Sequence, residues 1–143
     1  MRISDVLSSK PGGQVVTIPP DNTVRDLLAL LARHNIGAVV VSEDGVSVDG
    51  IVSERDVVRR LHEDEGVLDG PVSAIMTREV ATTEPHTSVD ELRVLMTERR
   101  IRHVPVVDQD RLTGIISIGD VVKSSLDQLQ FERDQLDSYV HQT

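Results

Sequence analysis

The chain has 143 residues, enough for one compact unit or two small ones, and 38% of them are apolar. It has no cysteine, which excludes disulfides, thiolate metal sites and cysteine nucleophiles. Its net charge of −9 repels a nucleic-acid backbone, and with one Phe, one Tyr and no Trp any pocket for a flat heterocycle must have aliphatic walls.

From the N-terminus, Met1-Arg2-Ile3-Ser4-Asp5 turns polar at once and offers no apolar stretch of the signal-peptide kind, so a soluble cytoplasmic protein is expected. A short helix is expected over 3–7, then an extended stretch over 15–18 and a turn at Pro19-Pro20. Val24, Leu27, Leu28 and Leu31 follow at i, i+3, i+4 and i+7, one apolar helix face, opened by the capping pattern Thr23-x-x-Asp26. The aliphatic run 38–41 is the longest in the chain, far short of the roughly 20 residues that span a bilayer, so no membrane association is expected. It reads as a strand, joined through the turn Glu43-Asp44-Gly45 to a second strand over 50–52. A helix then begins near Ser53. Residues 61–70, acidic with two glycines, read as a connector.

The same series then recurs. A short helix is expected over 72–76, a strand over 80–83, and a helix with Val89, Leu92 and Met96 on one face, opened by Ser88-x-x-Glu91. Strands over 104–107 and 114–116 flank Asp108-Gln109-Asp110, and a helix begins near Ser117. Val15-Val16-Thr17 aligns with Val80-Ala81-Thr82 at an offset of 65 residues, and Gly50-Ile51-Val52-Ser53 aligns with Gly114-Ile115-Ile116-Ser117 at 64. Each unit is β-α-β-β-α, too small to bury its own sheet face, so two copies packed sheet to sheet around a shared core are expected. The expected division is 1–62 for the first repeat, 63–70 for the linker, 71–125 for the second repeat and 126–143 for a helical tail.

The duplicated Gly-h-h-Ser-x-x-Asp motif (Gly50–Asp56 and Gly114–Asp120), with Ile75-Met76-Thr77 and Arg102-His103-Val104-Pro105-Val106, resembles a tandem pair of CBS (cystathionine β-synthase) domains. The resemblance covers residues 1 to about 125. It implies an α/β (α+β) fold of two repeats with pseudo-twofold symmetry, and an adenine ligand (AMP, ADP, ATP or NAD) in the cleft between them. It also implies a regulatory role without catalysis.

By that resemblance Asp56 and Asp120, with Ser53 and Ser117, hold the ribose. Thr17, Ile18, Ala38, Val39, Val40, Thr82, Thr83, His103, Val104 and Pro105 form the base pocket. Arg102 and Arg55 contact phosphate. Each assignment has a plainer counterpart: Ser-x-x-Asp is also a capping box, the pocket segments are also ordinary strands, and arginines at a helix C-terminus also complement its dipole. Because Val40 stands where the second repeat has Pro105, the two sites are expected to differ. The second motif, taken with Pro105 and Arg102, is expected to be the better formed.

Residues 124–140 read as a polar helix with Leu129, Leu136 and Val140 on a narrow stripe, suited to packing on the module or to a dimer or partner contact. The five histidines lack metal-ligand spacing, and no Gly-rich phosphate loop is present, so no metal is required for folding and no enzyme is expected. The expected function is a homodimeric nucleotide sensor that signals to an unknown regulated protein and binds neither nucleic acid nor membrane. The alternative is a structural interaction module with vestigial sites.

Overall fold

A computed structural model describes residues 1–10 and 15–141. The elements in chain order are α1 (Ile3–Ser9), β1 (Thr17–Ile18), α2 (Val24–His34), β2 (Ala38–Val41), β3 (Gly50–Ser53) and α3 (Glu54–Glu63). Two 3₁₀ turns, Glu65–Asp69 and Val72–Ala74, lead into α4 (Val89–Arg99), β4 (His103–Asp108), β5 (Arg111–Ser117) and α5 (Ile118–Val140). The architecture is mixed α/β, two copies of one unit.

In the first repeat β1 runs parallel to β2 and β2 antiparallel to β3, with Thr17 opposite Val40 and Ala38 opposite Ser53. The second repeat keeps the β4–β5 hairpin, with His103 opposite Ser117. Its expected first strand over 80–83 is reduced to one parallel bridge from Thr83 to Val106. The cause is Pro105. The Thr83 N–H donates to the Pro105 carbonyl (3.0 Å) and the Val107 N–H to the Thr83 carbonyl (2.8 Å). The next rung needs an N–H at position 105, which proline lacks.

Three helices begin with reciprocal boxes, Thr23 with Asp26, Ser53 with Asp56 and Ser117 with Asp120. At α4 only half of the expected box forms: Ser88 accepts the Glu91 N–H (3.1 Å). Equivalent residues Asn35 and Arg100 end α2 and α4 in the left-handed conformation, φ 52° and 53°.

The core is not one shared mass. It divides into two clusters, and each takes residues from the segment that precedes the other repeat. Val72 and Ile75 pack with Leu27, Val39 and Val52, while Ile3 and Val6 pack with Leu92, Val104 and Ile116. Matching backbone bonds lock this exchange, Ile3 N–H to the Thr87 carbonyl (2.9 Å) and Val72 N–H to the Asn22 carbonyl (2.7 Å). The packing units therefore cross the contiguous stretches 1–62 and 71–125. Reciprocal packing ties the repeats together, since neither cluster is complete without chain from the other half.

The connector and the tail of the expected division take the following form. The connector over 63–70 is ordered, with Val67 and Leu68 packed on the first cluster. The C-terminal tail is not a separate helix. It is the continuation of α5, 23 residues without a break: no Gly and no Pro lies between Lys123 and Gln130, and Ser124-x-x-Asp127, a capping pattern by sequence, sits inside the helix without stopping it. Residues 142–143 of the expected tail lie outside the described residues.

Candidate functional site

Two cavities of similar size, about 470 and 510 Å³, lie between the repeats. That is the range of a small-molecule site. Their linings correspond at the motif and at the wall that faces it. The first cavity contains Ile51, Ser53 and Asp56 of one repeat, facing Val80-Ala81 and Arg99–His103 of the other. The second contains Ile115, Ser117 and Asp120, facing Val15-Val16 and His34–Ala38. Each Ser-x-x-Asp motif thus works with the wall of the opposite repeat. Ala38 and His103, themselves equivalent, line both cavities.

The motif places its carboxylate by local chemistry. Ser53 ends β3 in an extended conformation and caps α3; its backbone N–H (2.9 Å) and hydroxyl (3.1 Å) both donate to Asp56 Oδ2. Ser117 N–H donates to Asp120 Oδ2 at 2.9 Å. At both aspartates the protein's hydrogen bonds fall on Oδ2, and among the described residues none falls on Oδ1. Capping and ligand binding are therefore compatible: one oxygen holds the helix and the other can accept hydroxyl donors. The glycine that opens each motif is required by close packing. A Cβ on Gly50 would lie 2.7 Å from Met76 Sδ and 2.9 Å from the Thr77 carbonyl, and one on Gly114 would lie 2.7 Å from Leu7 Cδ2.

The charges of the two cavities differ. Arg55, Arg59, Arg99, Arg100 and Arg102 line the first, against Glu54, Asp56 and Glu79. The second has, among the described residues, only Lys10 and Asp120, joined as an ion pair at 2.8 Å, with Lys10 Nζ also donating to the Ile115 carbonyl at 2.8 Å. Burial alone would raise the Asp120 pKa; the Lys10 hydrogen bond, the Ser117 N–H and the Lys10 charge outweigh it and hold the carboxyl below its ordinary value. Burial depresses the His103 pKa, more strongly than Asp120 and Glu54 raise it, so the ring between the cavities is neutral at pH 7.

Several sequence expectations are re-placed. Arg102 lies in the cavity of Asp56, not with Asp120, because each motif faces the other repeat; the arginine therefore gives the second motif no support. Ser53, Ser117, Asp56, Asp120, Ala38, His103, Arg55 and Arg102 all line a cavity. Thr17, Ile18, Val39, Val40, Thr82, Thr83, Val104 and Pro105 do not line the described cavities. Ile18, Val39, Val40, Thr83 and Val104 are instead buried in the fold. The walls come from Val15-Val16 and Val80-Ala81, two residues earlier in each repeat. The repeat alignment contained these pairs. Lys10 and Arg59 had no sequence signal, since nothing marks Lys10 as a neighbour of a residue 110 positions away. Among the described residues no cluster of His, Asp or Glu could hold a metal ion, and no helix is long and apolar enough to cross a membrane.

A duplicated sheet-and-helix unit with two equivalent interfacial cavities, each carrying a capped aspartate, defines a tandem-repeat module with two candidate ligand sites. The sequence profile of the CBS domain matches residues 3–63 and 72–127, and the chain belongs to the CBS domain family as a pair of repeats. It is 34% identical over 113 residues to the CBS domain-containing protein YhcV of Bacillus subtilis, covering 79% of this chain and 80% of that one. A putative signal-transduction protein with CBS domains from Burkholderia ambifaria superposes with a TM-score of 0.83 at 41% identity, over 89% of this chain and 95% of its own. The CBS domain pair of protein MJ0100, in complex with 5′-methylthioadenosine and S-adenosyl-L-methionine, superposes with a TM-score of 0.79 at 26% identity, over 90% and 98%.

Proposed function

We propose that this protein is a regulatory sensor of adenine nucleotides, binding AMP, ADP, ATP or NAD in the cavities between its repeats and passing the resulting change of shape or assembly to a partner protein. One observation carries the reading. Each cavity presents an aspartate whose Oδ2 is held by the cap while, among the described residues, Oδ1 takes no protein hydrogen bond. Such an oxygen suits a ribose diol. The adenosine compounds bound by the MJ0100 pair support the same ligand class.

In this reading Asp56 and Asp120, with Ser53 and Ser117, hold ribose. Ala38 and His103, with the aliphatic pairs Val15-Val16 and Val80-Ala81, flank the base. Arg55 and Arg102 take phosphate in the first cavity. Signalling is conformational and involves no turnover. The working unit is a cytoplasmic homodimer, since Leu28, Val58, Val94 and Val122 leave apolar surface on four helices.

The test is mass spectrometry of small molecules released from the purified protein, followed by thermal-shift measurements with each adenine ligand. A ligand that binds only the native state raises Tm. A rise with at least one adenosine compound is expected. No rise with any of them favours the reading in which the module serves protein–protein contact alone.

A further inference from the structure

Among the described residues the last side-chain tie between α5 and the rest of the fold is the hydrogen bond from Arg93 Nη2 to Ser125 Oγ, 2.6 Å. From Leu126 to Val140 every residue of α5 is exposed. A helical stretch of that length without tertiary packing is marginal in water. Yet it carries Leu126, Leu129, Leu136 and Val140, each 61–65% exposed, in line with Val122 at 51%.

These residues are spaced as a coiled-coil seam. Val122, Leu126, Leu129, Arg133, Leu136 and Val140 follow one another at alternating steps of four and three, the a/d rhythm of a heptad. At 3.6 residues per turn they fall within an arc of about 80°. Phe131 lies on the opposite side of the helix.

We infer that this segment pairs with the same segment of a second copy, as an antiparallel two-helix coiled coil centred on Phe131. The spacing is palindromic about that residue. Antiparallel alignment sets Val122 opposite the partner's Val140, Leu126 opposite the partner's Leu136, and Leu129 opposite the partner's Arg133. Each contact occurs twice, as an isologous twofold interface requires.

Charge selects the orientation. A parallel pair would put Arg133 against its own copy in the seam and Glu132 beside the partner's Asp137, two like-charge contacts. The antiparallel pair puts Lys123 beside the partner's Asp137 at both ends. The two Glu132 side chains meet near the axis, each next to an Arg133 guanidinium. This pairing names an interface that the homodimer reading above leaves open.

The chain has no cysteine, so introduced cysteines report alone. Facing seam positions come within disulfide reach, whereas two positions ten residues apart on one helix do not. The full-length double variant Leu126→Cys/Leu136→Cys should oxidise to a species of twice the chain mass, and each single variant should not. Phe131→Ser added to the double variant should leave the yield unchanged. Lys123→Glu should lower it by roughly threefold or more, and Lys123→Glu with Asp137→Lys should restore it. Equal cross-linking of Leu126→Cys with itself would establish a parallel pair and overturn the inference. A dimer in light scattering whose double variant stays uncross-linked would keep the homodimer and overturn this pairing.

Discussion

Lys10 places its ammonium 2.8 Å from Asp120 Oδ2, on the same oxygen that accepts the Ser117 backbone N–H. A lysine that precedes the first repeat thus restrains the motif aspartate of the second. Asp56, the equivalent residue, is held among the described residues only by its own cap.

That contact has a pH signature. The Asp120 carboxyl is held below its ordinary pKa, with burial opposing and Lys10 and Ser117 prevailing. A carboxyl whose folded-state pKa lies below its unfolded value of about 3.9 adds stability above that value and loses it as pH falls through the folded pKa. Lys10→Met should therefore lower stability at pH 7 by roughly 1 kcal/mol, since the pair is partly buried but still reached by solvent, with side chains 31% and 22% exposed. The gap in Tm between the two proteins should close as pH falls from about 5 to below the folded value. A gap that persists in acid would show that Lys10 acts through the packing of its stem.

The glycines that open the two motifs should not tolerate alanine equally. At Gly50 the added methyl meets the Thr77 carbonyl at 2.9 Å, and that carbonyl is fixed by the Ile51 N–H at 3.0 Å. At Gly114 it meets the end of the Leu7 side chain, which can rotate away. Gly50→Ala should cost roughly 1–3 kcal/mol and Gly114→Ala clearly less, measured by urea denaturation. Equal losses would mean that Leu7 is as fixed as a backbone carbonyl.

The helices and hairpins were legible because their signals are local: apolar spacing over α2 and α4, Ser-x-x-Asp at the caps, short polar turns. The duplication was legible because two distant stretches could be compared. What escaped was the exchange between the halves. Nothing in Ile3 or Val72 says which repeat it completes, so sequence order alone pairs Arg102 with the motif that follows it and not with the one it faces. The shortened strand at Thr83 was readable in principle, since Pro105 sits where the ladder needs an N–H. The cavity walls lay two residues from the expected ones: Ile18 and Thr83 turn into the fold, Thr17 is half-buried and Thr82 is exposed.

Anionic ligands should prefer the cavity of Asp56. Its five arginines can make charge-assisted bonds, each worth roughly 1.5–3 kcal/mol, while the second cavity has one lysine already paired. Calorimetric titration of ATP should show the tightest site lost in Asp56→Ala and weakened about tenfold or more in Arg102→Ala. The Asp120→Ala protein should retain that site. Loss in Asp120→Ala with retention in Asp56→Ala would place the phosphate chain in the other cavity.

Selectivity for the sugar tests the role of both aspartates. An Oδ1 that accepts ribose hydroxyls is left partly unpaired by a deoxyribose, at a cost of roughly 1–3 kcal/mol, or about one to two decades in affinity. AMP, ATP or NAD should therefore bind at least about tenfold more tightly than the 2′-deoxy analogue. NADP should bind poorly, because its 2′-phosphate would sit against a like charge. The acidic surface as a whole cannot produce this pattern, since it repels all of these anions alike. The arginines of the first cavity cannot produce it either, since they see the same phosphate chain on ribose and deoxyribose. Equal binding of deoxyadenosine and adenosine phosphates would leave Asp56 and Asp120 as helix caps and little more, and the interaction module without a nucleotide would become the better account.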